Sequence, residues 1–329
     1  MARPLRIQYP GAVYHVMCRG NERREIFRGD DDRRAFLDFL VNSLGTYSVI
    51  LHAYVLMTDH FHLLVETPLG NLAEFMRHFN ITYTGYFNRQ HKRVGHLYQG
   101  RYKSVLVEKE NYLSMVSRYI HLNPVRIKSL ESNSGREKLA ILSRYPWSSL
   151  PGYFDGERRQ SMVDYSLVLA DFGGENEKGR KAYRRQILLD LTDGLDLQDK
   201  VVAQSILGDE EFIRGVQKEF LESVSGRERP AVGLVKRYRQ EDTILAAIEK
   251  ETGRDLAALK REKGDLRRMA MDLLYRHAGL KGTAIGAMFG VEYSTVSQER
   301  KRLRERLSLD AALQERIRRI EAVLSTMKI

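Results

Sequence analysis

The sequence contains a single cysteine and a single tryptophan among its 329 residues. Because Cys18 is the only cysteine, an internal disulfide is excluded, and we expect a reducing, cytoplasmic setting with Cys18 as a small core residue. No apolar run approaches the length of a membrane-spanning helix, and the first residues lack the apolar core of a signal peptide. No Gly-Lys-Ser/Thr phosphate-binding loop is present either, so an ATPase is not implied. We expect no membrane partner.

The charge of the chain is strongly positive. It carries 54 Lys and Arg against 43 Asp and Glu, a formal net charge of +11. Such an excess indicates a polyanionic partner, most commonly nucleic acid, with an anionic membrane surface as the alternative. An apolar content of 43% is enough for buried cores, and the length predicts two or three domains.

Two histidines flank Phe61 in the segment Leu56–Glu66. The short run of Leu, Val and Phe around them predicts a strand that follows a Thr-Asp turn. Because side chains alternate between the faces of a strand, His60 and His62 point to one side and Phe61 to the other. Two neutral imidazoles at this spacing can bind one cation. Two ordinary histidines at a strand end are the alternative for this motif taken alone.

Hydrophobic periodicity predicts the order strand, helix, strand, strand, helix, strand, helix over the first 122 residues. The strands are expected at 12–18, 49–57, 60–66 and in the second half of 98–107, and the helices after residue 30, at 72–89 and at 112–122. This order predicts an α+β fold close to the ferredoxin-like arrangement, in which a mainly antiparallel sheet has its helices on one face.

A tyrosine and an asparagine complete a candidate catalytic site. Tyr119 and Asn123 are four residues apart, so on a helix they share one face, and Asn123 would lie at the C-terminal end. If this face covers the two histidines, two imidazoles and an amide oxygen could hold Mg²⁺ or Mn²⁺. The tyrosine could then attack a phosphodiester. On spacing alone the nucleophile stays open, and its rivals are Tyr98, Tyr102 and Tyr112.

The last hundred residues predict a helical, basic domain. Residues 227–307 contain 19 Lys and Arg against 12 Asp and Glu. A helix, a turn with Gly and a second helix with exposed cations form a helix-turn-helix pattern. The predicted contacts to duplex DNA come from the second helix: Ser294, Thr295, Gln298, Arg300, Lys301 and Arg302. A solvated face of a helical bundle is the alternative.

The N-terminal part resembles the REP-associated tyrosine transposases, which are HUH single-tyrosine transposases. The resemblance rests on His60-Phe61-His62, on the run from Tyr119 to Arg126, on the segment from Tyr9 to Val16, and on 98–102. It implies that Tyr119 is the nucleophile and that His60, His62 and Asn123 are metal ligands. It also implies a substrate of single-stranded DNA hairpins. Charge and position add candidate DNA-backbone contacts: Arg3, Arg6, Arg19, Arg101 and Lys103.

The segment Ile244–Leu307 is similar to the C-terminal DNA-binding domain of the DnaA replication initiator. It departs from that family where bases are read, since Glu292-Tyr293-Ser294-Thr295-Val296 replaces Asp-His-Thr-Thr-Val. The expected organisation is a tyrosine transposase domain at 1–156, a helical connector of unknown role at 157–226, and a helix-turn-helix domain at 227–329.

The predicted function is that of a metal-dependent single-strand DNA endonuclease and strand transferase that forms a 5′-phosphotyrosine intermediate. A non-catalytic DNA-binding regulator that retains the fold is the alternative. An RNA-processing enzyme is a third possibility, which rests only on basic charge.

Overall fold

The protein divides into two compact units, described here from a computed structural model. The structure describes residues 7–197, 200–221, 238–307 and 309–326. The N-terminal unit spans Arg6–Val201 together with Ser205–Asp209, and the C-terminal unit consists mainly of the chain after Glu210. The first unit therefore continues about 45 residues beyond position 156, the expected end of the transposase domain.

A five-stranded sheet forms the centre of the N-terminal unit. Its strands are β1 (Ala12–Arg19), β2 (Ile50–Leu56), β3 (His60–Thr67), β4 (Lys103–Val107) and β5 (Ile206–Leu207). They lie in the order β2-β3-β1-β4-β5; the first four are antiparallel to their neighbours, and β5 pairs with β4 in parallel. The α+β class is confirmed, and the order of the first four strands is the ferredoxin-like one.

The helices of the N-terminal unit alternate with these strands and then continue after β4. They are α1 (Asp30–Tyr47), α2 (Leu72–Gln90), α3 (Lys109–His121), α4 (Gly135–Arg144), α5 (Leu150–Phe154), α6 (Ser166–Ala170) and α7 (Glu177–Asp193). Short 3-10 turns lie at Asn21–Arg23, Asn123–Val125, Lys128–Leu130 and Gly156–Arg158.

Helices cover both faces of the sheet, whereas the sequence predicted helices on one face only. Phe61 of β3 packs against Phe36 of α1 and Phe79 of α2, with ring centroids 4.9 and 6.1 Å away. On the opposite face, the ring of Tyr119 on α3 lies 5.9 Å from that of His15 on β1. The prediction that the helices share one face of the sheet is therefore right for α1 and α2. It is wrong for α3, which covers the opposite face. Its position agrees with the burial of β3, whose residues are buried on both faces of the sheet, so that each face has a cover.

The segment after residue 156 packs against the tyrosine helix. Arg118 of α3 and Asp190 of α7 form a buried ion pair with an N–O distance of 2.7 Å. His121, at the end of α3, is fully buried and lies within hydrogen-bond distance of the Tyr183 hydroxyl on α7, at 2.8 Å. These polar contacts fix α7 on α3, since a buried polar group has to keep its partners.

The C-terminal unit is helical, as predicted. Its elements are α8 (Glu210–Val216), a π-helical turn (Gln217–Leu221), α9 (Glu241–Thr252), α10 (Leu256–Arg261), α11 (Asp265–His277), α12 (Gly282–Phe289), α13 (Tyr293–Leu307) and α14 (Ala311–Thr326). The helices α9 to α14 enclose an apolar core that includes Ile248, Leu274, Phe289 and Leu303. None of the described helices is both long and apolar enough to cross a bilayer.

Candidate active site

His60 and His62 face the same side of β3. Their ring centroids are 5.1 Å apart, and the strand register places them opposite Arg19 and Met17 of β1. His60 is the first residue of the strand, directly after the turn, so its side chain lies at the edge of the sheet. His62 is only 4% exposed. The geometry is the one that strand alternation predicts.

Each of the two imidazoles is held through its Nδ1 atom. His60 Nδ1 lies 2.5 Å from a carboxylate oxygen of Asp59, and because that oxygen can only accept, Nδ1 donates. His62 Nδ1 lies 2.8 Å from Nε2 of His15, whose ring stacks on that of His62. Nε2 of His60 therefore keeps its lone pair for a cation, and Nε2 of His62 does so in the tautomer in which its Nδ1 donates to His15.

Burial keeps these imidazoles neutral. It lowers the pKa of His60, and it lowers the pKa of His62 well below its usual range, with a further contribution from the neighbouring His15. Burial also lowers the pKa of His15 to about 4. Neutral imidazole is the form that binds metal, so the electrostatics of the site suit a ligand role at neutral pH.

Asn123 lies just beyond the tyrosine helix, with its amide fixed in one orientation. Its Nδ2 donates to the backbone carbonyls of Tyr119, at 2.9 Å, and Ile120, at 3.1 Å. Both acceptors are carbonyl oxygens, so the nitrogen has to face them, and Oδ1 is left for a cation. Tyr119 is held by the same turn, and its ring stands edge-on to His15.

These side chains share one open cleft of about 870 Å³. His60, His62, Tyr119 and Asn123 all line it, so the structure brings the four predicted residues together. Among the described residues, no cluster of three or more His, Cys, Asp or Glu side chains could hold a metal ion. In this cleft the amide oxygen could add a third donor beside the two imidazoles, a mixed nitrogen and oxygen set that would fit Mg²⁺ or Mn²⁺ with open positions.

Several residues in or next to the cleft were not among the sequence candidates. His15 and Asp59 hold the imidazoles, Arg126 lies beside the tyrosine, and the end of α7 closes one wall of the cleft. A signal existed for His15, because it lies two residues before Met17 and therefore shares the face that meets His62. No sequence signal placed α7 here, since its approach depends on tertiary packing.

The predicted DNA contacts in the N-terminal unit differ in their surroundings. Arg19 lines the cleft, where its Nε lies 3.6 Å from the Asp59 carboxylate. Arg101 and Lys103 are exposed at the start of β4. Arg3 and Arg6 lie outside the described residues. The roles of all five stay predictions.

The predicted recognition helix is α13, which follows α12 after residues 290–292. The turn depends on Gly286, because a Cβ there would lie 2.5 Å from the backbone oxygen of Val291. Ser294 and Gln298 are exposed, as are Lys301 and Arg302, and Thr295 is partly exposed.

The side chain of Arg300 contacts other residues of the C-terminal unit. Its Nε donates to Asp272 at 3.0 Å, and its guanidinium carbon lies 3.4 Å from the ring centroid of Tyr275. Arg302 donates to Glu299 at 2.7 Å but keeps more than half of its side chain exposed. Of these two arginines, Arg302 is the one whose side chain is exposed enough to contact a phosphate. Whether either arginine contacts DNA stays a prediction.

Comparison with known proteins gives one family match. Residues 8–123 match the family model described as "Transposase IS200 like", a range that includes His60, His62, Tyr119 and Asn123 and ends before Arg126. No curated protein matches the chain. A solved structure described as "Structure of the REP associates tyrosine transposase bound to a REP hairpin" is similar at 14% identity, with a TM-score of 0.38. The similarity covers 51% of this chain and 96% of that one.

Proposed function

From the match of residues 8–123 to the IS200-like transposases, we propose that the protein cuts and rejoins single-stranded DNA hairpins through a 5′-phosphotyrosine intermediate. The observation that carries the proposal is the shared cleft. A phenol, an amide oxygen and two neutral imidazoles converge there from two separate parts of the chain. The strongly basic chain supports a nucleic-acid substrate.

In the proposed reaction, the Tyr119 oxygen attacks the scissile phosphorus in line with the departing 3′ oxygen. The bond from phosphorus to the tyrosine oxygen forms as the bond to O3′ breaks, the phenol proton passes to solvent, and O3′ takes up a proton. The 5′ phosphate thus stays on the enzyme. A 3′ hydroxyl of another strand can reverse the step and release the phenol, because a phenolate is also a good leaving group.

A divalent cation, Mg²⁺ or Mn²⁺, fits the donor set of the cleft. Nε2 of His60, Nε2 of His62 and Oδ1 of Asn123 would hold it. When bound, such a cation polarises the scissile phosphate and neutralises developing charge. Asn123 also orders the last turn of α3 through its two hydrogen bonds, so it helps to position the nucleophile.

For the C-terminal unit we propose binding to duplex DNA through α13. The support is a short turn between two helices, made possible by Gly286, and a row of exposed polar and basic side chains on the second helix. In this proposal α13 anchors the chain on a duplex, and the cleft of the N-terminal unit acts on a single strand. The proposed setting is the cytoplasm, which suits a chain with a single, buried cysteine.

The test is a denaturing gel of protein incubated with Mn²⁺ and 5′- or 3′-labelled single-stranded hairpins from the DNA that flanks the gene. Wild type should give a covalent protein–DNA band, and Tyr119→Phe should not. Tyr112→Phe is the matched control, because Tyr112 lies two turns earlier on the same helix and does not line the cleft.

A covalent band that survives in Tyr119→Phe would move the nucleophile to another tyrosine. Cleavage without a covalent band would indicate attack by water. If wild type binds duplex DNA but cuts no hairpin, the chain is better described as a non-catalytic DNA-binding regulator that retains the fold.

A further inference from the structure

Arg126 approaches the nucleophile from outside the family match. It follows the 3-10 turn that begins at Asn123, and it lines the same cleft. Its guanidinium carbon lies 4.3 Å from the ring centroid of Tyr119, within the range of a cation–π contact. The cation thus lies against the ring whose oxygen would attack phosphorus.

A backbone contact holds the guanidinium in this position. Nη2 of Arg126 donates to the carbonyl of Leu195, just after the end of α7. Arginine has five N–H donors, and this contact uses one of them. The aromatic ring on one side and the carbonyl on the other restrict the side chain, so its remaining donors have a defined direction rather than the freedom of a surface arginine.

The charge of Arg126 lacks a close carboxylate in the part of the chain that the structure describes. Among those residues, none has a carboxylate oxygen within 4.0 Å of the guanidinium. Asp190 and Asp196 act on it only through their charge, and Asp190 itself is paired with Arg118. A solvent-exposed arginine with restricted geometry and without a bound carboxylate is a site for an oxyanion such as a phosphate.

We propose that Arg126 is a phosphate-binding catalytic residue, whose guanidinium binds a non-bridging oxygen of the scissile phosphodiester. The assignment of this phosphate as scissile rests on the function proposed above. In-line attack requires the phosphorus about 3–3.5 Å from the phenol oxygen. A cation that touches the phenol ring is therefore within reach of that phosphate. No bond to Arg126 forms or breaks; it offsets charge on the oxygens as phosphorus becomes five-coordinate, and it then holds the phosphotyrosine.

The first measurement is binding, carried out in full-length Tyr119→Phe, which keeps the ring and cannot form the covalent bond. Affinity for the single-stranded hairpin is measured over a range of salt concentrations. Arg126→Gln should lower the affinity about tenfold and reduce the slope of log K against log salt by about 0.7, the value for one phosphate of a single strand. Arg34→Gln on α1 is the matched control, because Arg34 is 61% exposed and lies on the helix layer of the opposite face.

The second measurement locates the contact. A series of hairpins, each with one uncharged methylphosphonate, is bound by the Tyr119→Phe protein and by the Tyr119→Phe/Arg126→Gln double variant. At the linkage that Arg126 contacts, the penalty of Arg126→Gln should disappear, because the partner charge is already gone. An equal penalty at every linkage would overturn the proposal and leave Arg126 as a structural clamp on the α7 end.

The third measurement is the rate of covalent complex formation in the presence of Mn²⁺. Arg126→Gln should slow it by about 10²–10³-fold, and Arg126→Lys should recover part of the loss. If wild type never cuts but one methylphosphonate abolishes the Arg126 effect, phosphate binding stands and the proposed cleavage fails. If wild type cuts and Arg126→Gln cuts equally fast, the inference about Arg126 fails and the proposed function stands.

Discussion

The buried ion pair between α3 and α7 gives a sharp test of how the tyrosine helix is held. Arg118 Nε lies 2.7 Å from Asp190 Oδ2, and their side chains are only 10% and 8% exposed. Gln186 donates to the other oxygen of Asp190 at 3.1 Å. Arg118→Met keeps most of the volume of the side chain but leaves a carboxylate buried without its cation.

We expect Arg118→Met to lower the free energy of unfolding of the N-terminal unit by about 3–5 kcal/mol, because an uncompensated buried charge is left behind. The double variant Arg118→Met/Asp190→Leu should lose less unfolding free energy than Arg118→Met alone, since no buried charge of this pair remains. Comparing the two variants separates the net contribution of the ion pair to stability from the cost of leaving the Asp190 carboxylate buried without its cation.

Urea unfolding followed by tryptophan fluorescence is the assay. Trp147 is the sole tryptophan of the chain and lies in the N-terminal unit, so its signal reports on that unit alone. The midpoint should fall by roughly 1–2 M urea in Arg118→Met. A loss below about 1 kcal/mol, or a double variant less stable than Arg118→Met, would refute the reasoning.

Three further predictions address the site, the pH dependence and the C-terminal unit. Asp59→Ala should weaken Mn²⁺ binding about 10–100-fold in calorimetry, because an imidazole loses the carboxylate that orients it; unchanged affinity would contradict this role. Burial lowers the pKa of His121 to about 3, so only the unfolded chain takes up this proton near pH 5, and stability is lost as pH falls below about 6.5. His121→Gln should therefore reduce the loss of unfolding free energy between pH 8 and pH 5 by about 2 kcal/mol, and an equal pH dependence in both proteins would count against a neutral buried histidine. Gly286→Ala should destabilise the C-terminal unit by about 1–3 kcal/mol and weaken duplex binding, whereas Gly215→Ala, where an added methyl group meets nothing within 4 Å, should do neither.

Short-range periodicity was enough to predict much of the candidate site. Alternation along β3 places His60 and His62 on one face, and a spacing of four places Asn123 beneath the last turn that carries Tyr119. Both relations involve residues within a few positions of each other, so local geometry determines them. The α+β class follows in the same way from the order of strands and helices.

The remaining parts of the site depend on contacts between distant residues. Arg126 meets the carbonyl of Leu195, and His15 meets His62, across separations of 69 and 47 residues. The position of α3 on the face opposite α1 and α2 also depends on contacts between distant residues. Such contacts depend on how whole helices and strands pack against one another. A local sequence pattern carries no information about that packing.

The hydrogen bonds of Asn123 have a consequence for the proposed metal site. The amide nitrogen donates to two carbonyls at the end of α3, so Oδ1 has little freedom to follow an ion of different radius. His60 and His62 are restrained as well, each through Nδ1. A stiff set of three donors favours a small ion with regular geometry over a larger, loosely coordinated one such as Ca²⁺. If the cleft binds a metal as proposed, ionic radius is then the property by which it would discriminate among divalent ions.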